Sequence, residues 1–364
     1  MSEPFWNLVF ASDAAPTEKR SMRLLKKGGR PFLLLPRNGN LAARCLDLYP
    51  AQTSKARLAK FVLKSLLRLG LPAGAQAAPL NLSGKSDFIA FLRSIVKFEG
   101  EQIPNFGILA GNPASDSQRF IILLFDRKGI PAAVVKAGVT APAQGLVQKE
   151  SAFLASAGGR IGIPRFIQAF SDSKIKAVAL PYITGKIPDS LDGKGLRQLL
   201  VSWADPKEKV CLRDIACWRA LGSSSAQSAL KILKPAFEER FVHLTLCHGD
   251  FAPWNIKVLP NGDWVAIDWE RGELQGIPGW DWFHFLIQPG ILVKKLCAPE
   301  LADAVESLIA STDFQEYASA TGIHGGERDL ILAYLLHMLH VVRPAEGLEE
   351  NRSLLELLAA RWSR

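Results

Sequence analysis

The stretch from His248 to Glu270, HGDFAPWNIKVLPNGDWVAIDWE, constrains this chain more than any other. Two short runs, Lys257-Val258-Leu259 and Trp264-Val265-Ala266, flank Pro260-Asn261-Gly262-Asp263. An Asn-Gly pair between β-rich runs tolerates the positive φ angles of a tight turn, so the spacing predicts a hairpin. A hairpin returns the end of its second strand to the start of its first. Asp268 therefore comes back beside Asn255, with Asp250 just upstream.

Two acids and an amide gathered in this way suit phosphoryl transfer. That chemistry needs hard oxygen ligands for a Mg²⁺ ion bridging the phosphates, and a separate carboxylate that takes or orients the proton of the attacking hydroxyl. On this reading Asp250 is the base, and Asn255 and Asp268 hold the metal. Taken singly, an Asp or Asn capping a turn is commoner than a catalytic one. The joint spacing of the three favours the catalytic reading.

His248-Gly249-Asp250 followed by Asn255 and Asp268 resembles the catalytic loop of the protein-kinase-like fold, His-x-Asp-x-x-x-x-Asn with a later metal-binding Asp. With Ile267-Asp268-Trp269-Glu270 it looks closer still to the aminoglycoside phosphotransferase and choline kinase family of small-molecule kinases. The resemblance implies an α+β, two-lobed fold. A small antiparallel-sheet N-lobe, residues 101–185, would bind nucleotide, and a mostly helical C-lobe, residues 186–364, would carry catalysis and acceptor binding. Residues 1–100 fall outside it as a basic N-terminal extension with no assigned role. The resemblance further implies ATP and Mg²⁺ as cofactors and His248 as a brace for the loop. It implies the same bracing task for Asp281, which reads equally well as the cap of a helix starting near Gly279.

From Gln102 the pattern turns to strands: Phe106 to Ala110, Phe120 to Phe125, Ala132 to Ala137, Phe166 to Phe170 and Ala177 to Leu180, a five-stranded lobe. The resemblance makes Gly111 to Gln118 the loop over the ATP phosphates, although it lacks a GxGxxG. Lys136, held by Val134 and Val135, could reach the α- and β-phosphates. Glu150 is the one carboxylate between Lys136 and Asp172 and lies in a helical pattern, so it is the expected partner of Lys136. Leu180 to Gly185 looks like the hinge that would meet a purine.

Beyond the hinge, Leu196 to Trp203, Leu212 to Leu221 and Ala226 to Phe241 read as helices leading into the catalytic loop. Leu301 to Ile309, Leu330 to Val342 and Ser353 to Trp362 read as helices that finish the C-lobe. Protein kinases carry Asp-Phe-Gly and a long activation segment, whereas this chain has Asp268-Trp269-Glu270 and passes directly to the Gly279 helix. No room remains for a peptide platform, so the acceptor is expected to be a small molecule, a sugar, amino alcohol or aminoglycoside. Glu270 could add a metal contact, bind a cationic substrate or simply be solvated. His337 and His340 sit in an apolar helical pattern and read as packing residues.

Charge divides the 364 residues unevenly. The net charge is +9, yet residues 1–100 alone hold 16 Lys and Arg against 6 Asp and Glu, a net of +10, leaving the remainder near neutral. A near-neutral body gives no acidic funnel for a polycation and favours a sugar-like acceptor. Residues 11–30 read as an exposed basic arm, Phe32 to Leu35 as a short strand and Pro72 to Pro79 as a linker, followed by a helix over Asp87 to Lys97. Residues 54–69 form a basic amphipathic pattern capped by Ser54, which could touch a membrane surface but reads first as a helix with a solvated cationic face. Nucleic acid binding would rest on the basic region alone and is not the expected role.

Five cysteines without paired spacing fit a reducing compartment, and no apolar stretch reaches the roughly 18 residues of a membrane span. A cytoplasmic enzyme is expected. The alternative is a catalytically weak kinase-like module that senses nucleotide or binds a partner, tethered by its basic region.

Overall fold

The computed structural model describes residues 5–10, 15–49, 51, 53–111, 118–188 and 193–363. The chain divides into two units, one holding Met1–Gly158 and Pro164–Ile183, the other Gly159–Ile163 and Thr184–Arg364. The fold class is α+β, with an antiparallel sheet in the first unit and helices predominating in the second.

The first unit is built on eight strands: β1 Glu18–Lys27, β2 Arg30–Leu35, β3 Gln76–Leu82, β4 Phe106–Ala110, β5 Arg119–Phe125, β6 Pro131–Gly138, β7 Gln168–Ser171 and β8 Lys176–Pro181. They pair antiparallel in the order β3-β1-β2-β4-β5-β6-β8-β7. Helices α1 Phe5–Phe10, α2 Gly39–Cys45, α3 Ser54–Arg68, α4 Asp87–Ile95 and α5 Ala141–Ala157 accompany them.

Both faces of the sheet are covered, and β2 shows why. Successive side chains on a strand point to opposite faces, and Leu33, Leu34 and Leu35 are all fully buried. Leu34 joins Met22, Leu24, Phe88 and Phe106 in one core, together with Trp6 and Phe10 of α1. Leu33 and Leu35 join Ala42, Cys45 and Leu67 in another, beneath α2 and α3.

The first hundred residues thus differ from the expectation. Instead of a separate basic extension beside a five-stranded lobe, they belong to the first unit and supply three of its strands. Part of the expected arm is β1, and the end of the expected linker opens β3. The cations of β1 hid a strand whose buried positions are Met22, Leu24 and Leu25. One of those cations, Arg20, donates to the carbonyls of Ile103 and Pro104 at 3.1 and 2.8 Å.

Helix α3 also departs from its expected orientation. Thr53, not Ser54, supplies the capping oxygen, accepting from the amide of Ala56. The cationic side is not wholly solvated: Lys60 and Lys64 reach Asp47 at 3.5 and 2.5 Å. Leu67 is the buried anchor, while Leu58, Phe61, Val62 and Leu69 are exposed. The stripe that carries Leu67 and the aliphatic stems of the two lysines thus meets the first unit's core, which turns the larger apolar stripe outward.

The second unit contains α6 Gly193–Ser202, α7 Ala216–Gly222, α8 Trp280–Pro289, α9 Ala298–Ala310, α10 Thr312–Thr321, α11 Glu327–His337 and α12 Leu348–Trp362. A three-stranded sheet, β13-β10-β9, is formed by β9 Ala204–Cys211, β10 Phe241–Cys247 and β13 Glu273–Gly276. A separate hairpin pairs β11 Ile256–Val258 with β12 Trp264–Ala266. The helix expected over Ala226 to Phe241 is instead two short 3-10 turns that run into β10. Pro235 lacks the amide a helix needs, and Ala236 follows at φ 58°, outside the helical region.

Candidate active site

The hairpin places the site. Ile256 pairs with Ala266, Lys257 with Val265 and Val258 with Trp264, and the amide of Ile267 donates to the carbonyl of Asn255 at 2.8 Å. Asp268 therefore follows directly on the residue bonded to Asn255. Of the Asn-Gly pair only Gly262 takes positive φ, at 88°, and the turn is closed by Gly262 donating to the carbonyl of Leu259. Asp268 itself sits at φ 72°. For a non-glycine residue this is a sparsely populated conformation that surrounding structure must hold in place.

Asn255 is buried and turns its side-chain amide onto Asp250, with Nδ2 donating to the backbone carbonyl at 2.9 Å and to Oδ2 at 3.1 Å. The other carboxylate oxygen, Oδ1, lies 3.2 Å from Nε2 of His284 on α8. Nδ1 of His284 lies 3.0 Å from the hydroxyl of Tyr334 on α11. Burial holds the Tyr334 hydroxyl protonated, far above its ordinary pKa, and an ionised Asp250 can only accept, so Nε2–H of His284 donates to it. Both oxygens of Asp250 are thus fixed by donors from separate elements.

Burial is the largest influence on the Asp250 carboxyl and acts to raise its pKa. The hydrogen bond and charge of His284, with the electrostatic pull of His248 and Arg271, outweigh it and hold the group below its ordinary value. A carboxylate so held is ionised and aligned, which suits an acceptor of a hydroxyl proton in a reaction that relies on positioning more than on base strength.

The loop is braced from two sides. His248 is fully buried; its Nε2 donates to the carbonyl of Ile267 at 2.9 Å, and its Nδ1 accepts from the amide of Asp250 at 3.3 Å. Trp269 packs on its ring at 4.6 Å. Asp281 accepts from the amides of His248 and Gly249 at 2.7 and 3.2 Å, and α8 has no side-chain cap. Of the two readings of Asp281, bracing is the one the geometry displays. Burial pushes its carboxyl up against the opposing pull of His248 and the two amides.

Sequence reasoning missed His284 and Tyr334. A histidine in Trp280-Asp281-Trp282-Phe283-His284 reads as core, and nothing in its spacing announces a partner 34 residues upstream. His337 packs against the Trp280 ring at 4.7 Å, and burial lowers its pKa to about 4. His340 pairs with the hydroxyl of Ser225 at 2.8 Å. Glu270 is half-buried beside the buried Trp269.

In the first unit, Lys136 on β6 and Glu150 on α5 meet at 2.6 Å with both side chains buried. The hinge segment begins at the end of β8, where the amide of Tyr182 donates to the carbonyl of Ala132. Within the expected phosphate loop, residues 112–117 lie outside the described residues.

The donor chemistry of Asn255 and Asp268 fits Mg²⁺. Nδ2 of Asn255 is engaged by Asp250, so Oδ1 is the atom open to a cation, and Asp268 adds a carboxylate. Among the described residues no group of three His, Cys, Asp or Glu is arranged to hold a metal ion. Two oxygen ligands are a partial set of the kind Mg²⁺ accepts, since it keeps waters and takes the rest from phosphate.

No protein-family model matches the chain, and no curated protein matches it. Among solved structures, the chain is similar to an aminoglycoside phosphotransferase from Streptomyces rimosus, at 16% identity and a TM-score of 0.41 over 69% of this chain and 97% of that one. It is similar also to a macrolide 2′-phosphotransferase from Brachybacterium faecium, at 14% identity and a TM-score of 0.40 over 73% and 97%. A thermostable mutant of another aminoglycoside phosphotransferase, in ternary complex with ADP and hygromycin B, gives 14% identity and a TM-score of 0.42 over 76% and 95%.

Proposed function

We propose that this chain is an ATP- and Mg²⁺-dependent phosphotransferase that moves the γ-phosphate of ATP to a hydroxyl of a small molecule. The observation that carries this reading is the Asp250 carboxylate, held by Asn255 on one oxygen and His284 on the other in a loop braced by His248 and Asp281. Asp250 orients the acceptor hydroxyl and receives its proton as the new P–O bond to the γ-phosphorus forms and the bond to the β-phosphate oxygen breaks, releasing ADP. Asn255 and Asp268 hold the metal, which when bound neutralises charge on the β- and γ-phosphates. Lys136 steadies the α- and β-phosphates, and Glu150 fixes Lys136. Little covalent work falls to the protein, so the rate comes from alignment and charge stabilisation. The near-neutral charge of residues 101–364 supports a sugar-like acceptor over a polycation.

The test is a phosphate-transfer screen with ATP and Mg²⁺ over sugars, amino alcohols and aminoglycosides, with Asp250→Asn as control. Transfer to at least one acceptor, reduced about 10²- to 10⁴-fold in the variant while ATP still binds, is the expected result. Nucleotide binding without transfer to any acceptor or to water would replace this reading with that of a nucleotide-sensing module.

A further inference from the structure

The first unit carries a surface that the proposed chemistry leaves unused. On α3 the side chains of Leu58, Phe61 and Val62 are 65%, 67% and 48% exposed, and Leu69, just past its end, is 75% exposed. Spaced at three, four and seven, they form one outward stripe, bordered by exposed Lys55, Arg57 and Arg68. Scattered exposed apolar residues are ordinary, but a contiguous stripe with cationic borders is the pattern of a helix that lies in a membrane interface.

A second observation adjoins it. Arg68 follows Phe61 by seven residues on the same face and also lines a concavity of about 590 Å³. Arg44, Arg127 and Lys128 line the same concavity, together with Asn38, Asn40 and Asn105, and no carboxylate lies among the lining residues. Arg44 donates to the carbonyl of Gly129 at 3.2 Å, which fixes its guanidinium at the wall. Two acids stand near: Glu99, 3.7 Å from Arg127 with both exposed to solvent, and Asp126, whose carboxylate accepts from the amides of Lys128 and Ile130 at 2.9 and 2.7 Å. Ile130, next to this wall, is itself 50% exposed. Four cations around a hollow, joined through Arg68 to an apolar ridge, complement an anionic headgroup above acyl chains.

We propose that this face docks on an anionic phospholipid surface, with Leu58, Phe61, Val62 and Leu69 entering the headgroup boundary and a lipid phosphate seated among Arg44, Arg68, Arg127 and Lys128. The docking is independent of the phosphotransferase reading and stands or falls separately. It divides the labour between apolar insertion and charge, neither of which holds a protein on a membrane firmly alone.

The full chain is sedimented with vesicles of phosphatidylcholine alone and with phosphatidylglycerol added, and inorganic phosphate binding is measured in parallel. Retention is expected on the anionic vesicles only. Leu58→Ser with Phe61→Ser should weaken it about tenfold or more, and Arg68→Glu with Lys128→Glu should do the same. All four positions are exposed, so both variants should melt as the parent does. No retention on anionic vesicles overturns the proposal, as does retention that survives Leu58→Ser with Phe61→Ser. Phosphate binding lost in Arg68→Glu but unaccompanied by vesicle binding would make the hollow a site for a free anion and overturn it too. A dimer in solution that the serine variant dissociates, again without vesicle binding, would assign the stripe to a second copy of the chain.

Discussion

At Asp250 the effect of His284 opposes that of burial. Because the Asp250 carboxyl is held below its ordinary value, the ionised form persists as pH falls, and kcat should hold until pH drops through that lowered value. The stability that Asp250 gains from its partners follows the same sign: present above the unfolded pKa, lost as pH falls through the folded one. His284→Leu removes the hydrogen bond and the charge but leaves the burial, so the acid limb of kcat should move to higher pH. Tyr334→Phe keeps the bond from His284 to Asp250 and should move the limb less. A pH profile of kcat for the parent and both variants checks this, and an unmoved limb in His284→Leu would refute the assignment. Asp281→Ala should act differently, leaving the buried amide of His248 and the half-buried amide of Gly249 without this acceptor at about 1–3 kcal/mol of stability. Its expected mark is a fall in kcat with little change in KM for ATP, since the loop that carries Asp250 loosens while Lys136 is untouched; steady-state kinetics beside a urea melt reads both.

The pairing of β6 with α5 rests on a buried charge pair, which is weak evidence of stability and a strong constraint on substitution. Lys136→Met leaves Glu150 buried without its cation and should cost about 3–5 kcal/mol, read by urea denaturation. Adding Glu150→Leu should recover most of that stability while ATP binding stays lost, which separates a structural role from a nucleotide-binding one. The elements differ in how far the sequence discloses them. α5 and the hairpin β11–β12 could be read from periodicity and an Asn-Gly turn, because their determinants lie within a few residues. β1 could not, because its cations interrupt the apolar alternation and are accommodated by distant partners, as Arg20 is by the carbonyls of Ile103 and Pro104. β9 is polar along most of its length because it is an edge strand with little buried face to encode.

For the whole molecule, described residues within 1–100 supply much of the first unit's cores. β1 and β2 stand between β3 and β4, and Leu33, Leu34 and Leu35 fill both faces. A chain beginning at residue 101 would expose β4, whose five residues are all buried, as an apolar edge. Such a chain should lose cooperative melting and aggregate instead of behaving as an enzyme freed of a basic arm, as near-UV circular dichroism and light scattering would show.

The sequence by itself determined the local chemistry of this protein. Asp250 and Asn255 five residues apart, and the turn at Gly262 that returns Asp268, are set by short-range backbone geometry, so spacing suffices to find them. The candidate pair Lys136 and Glu150 also followed from sequence, because one strand and the next helix offered a single acid. Only the tertiary structure decided that His284 and Tyr334 close on Asp250, that Asp281 braces the loop rather than capping its helix, and that α3 turns its apolar stripe to solvent. Those outcomes depend on which helix faces pack together, and packing is a sum of contacts between residues far apart in the chain, to which no local pattern gives access.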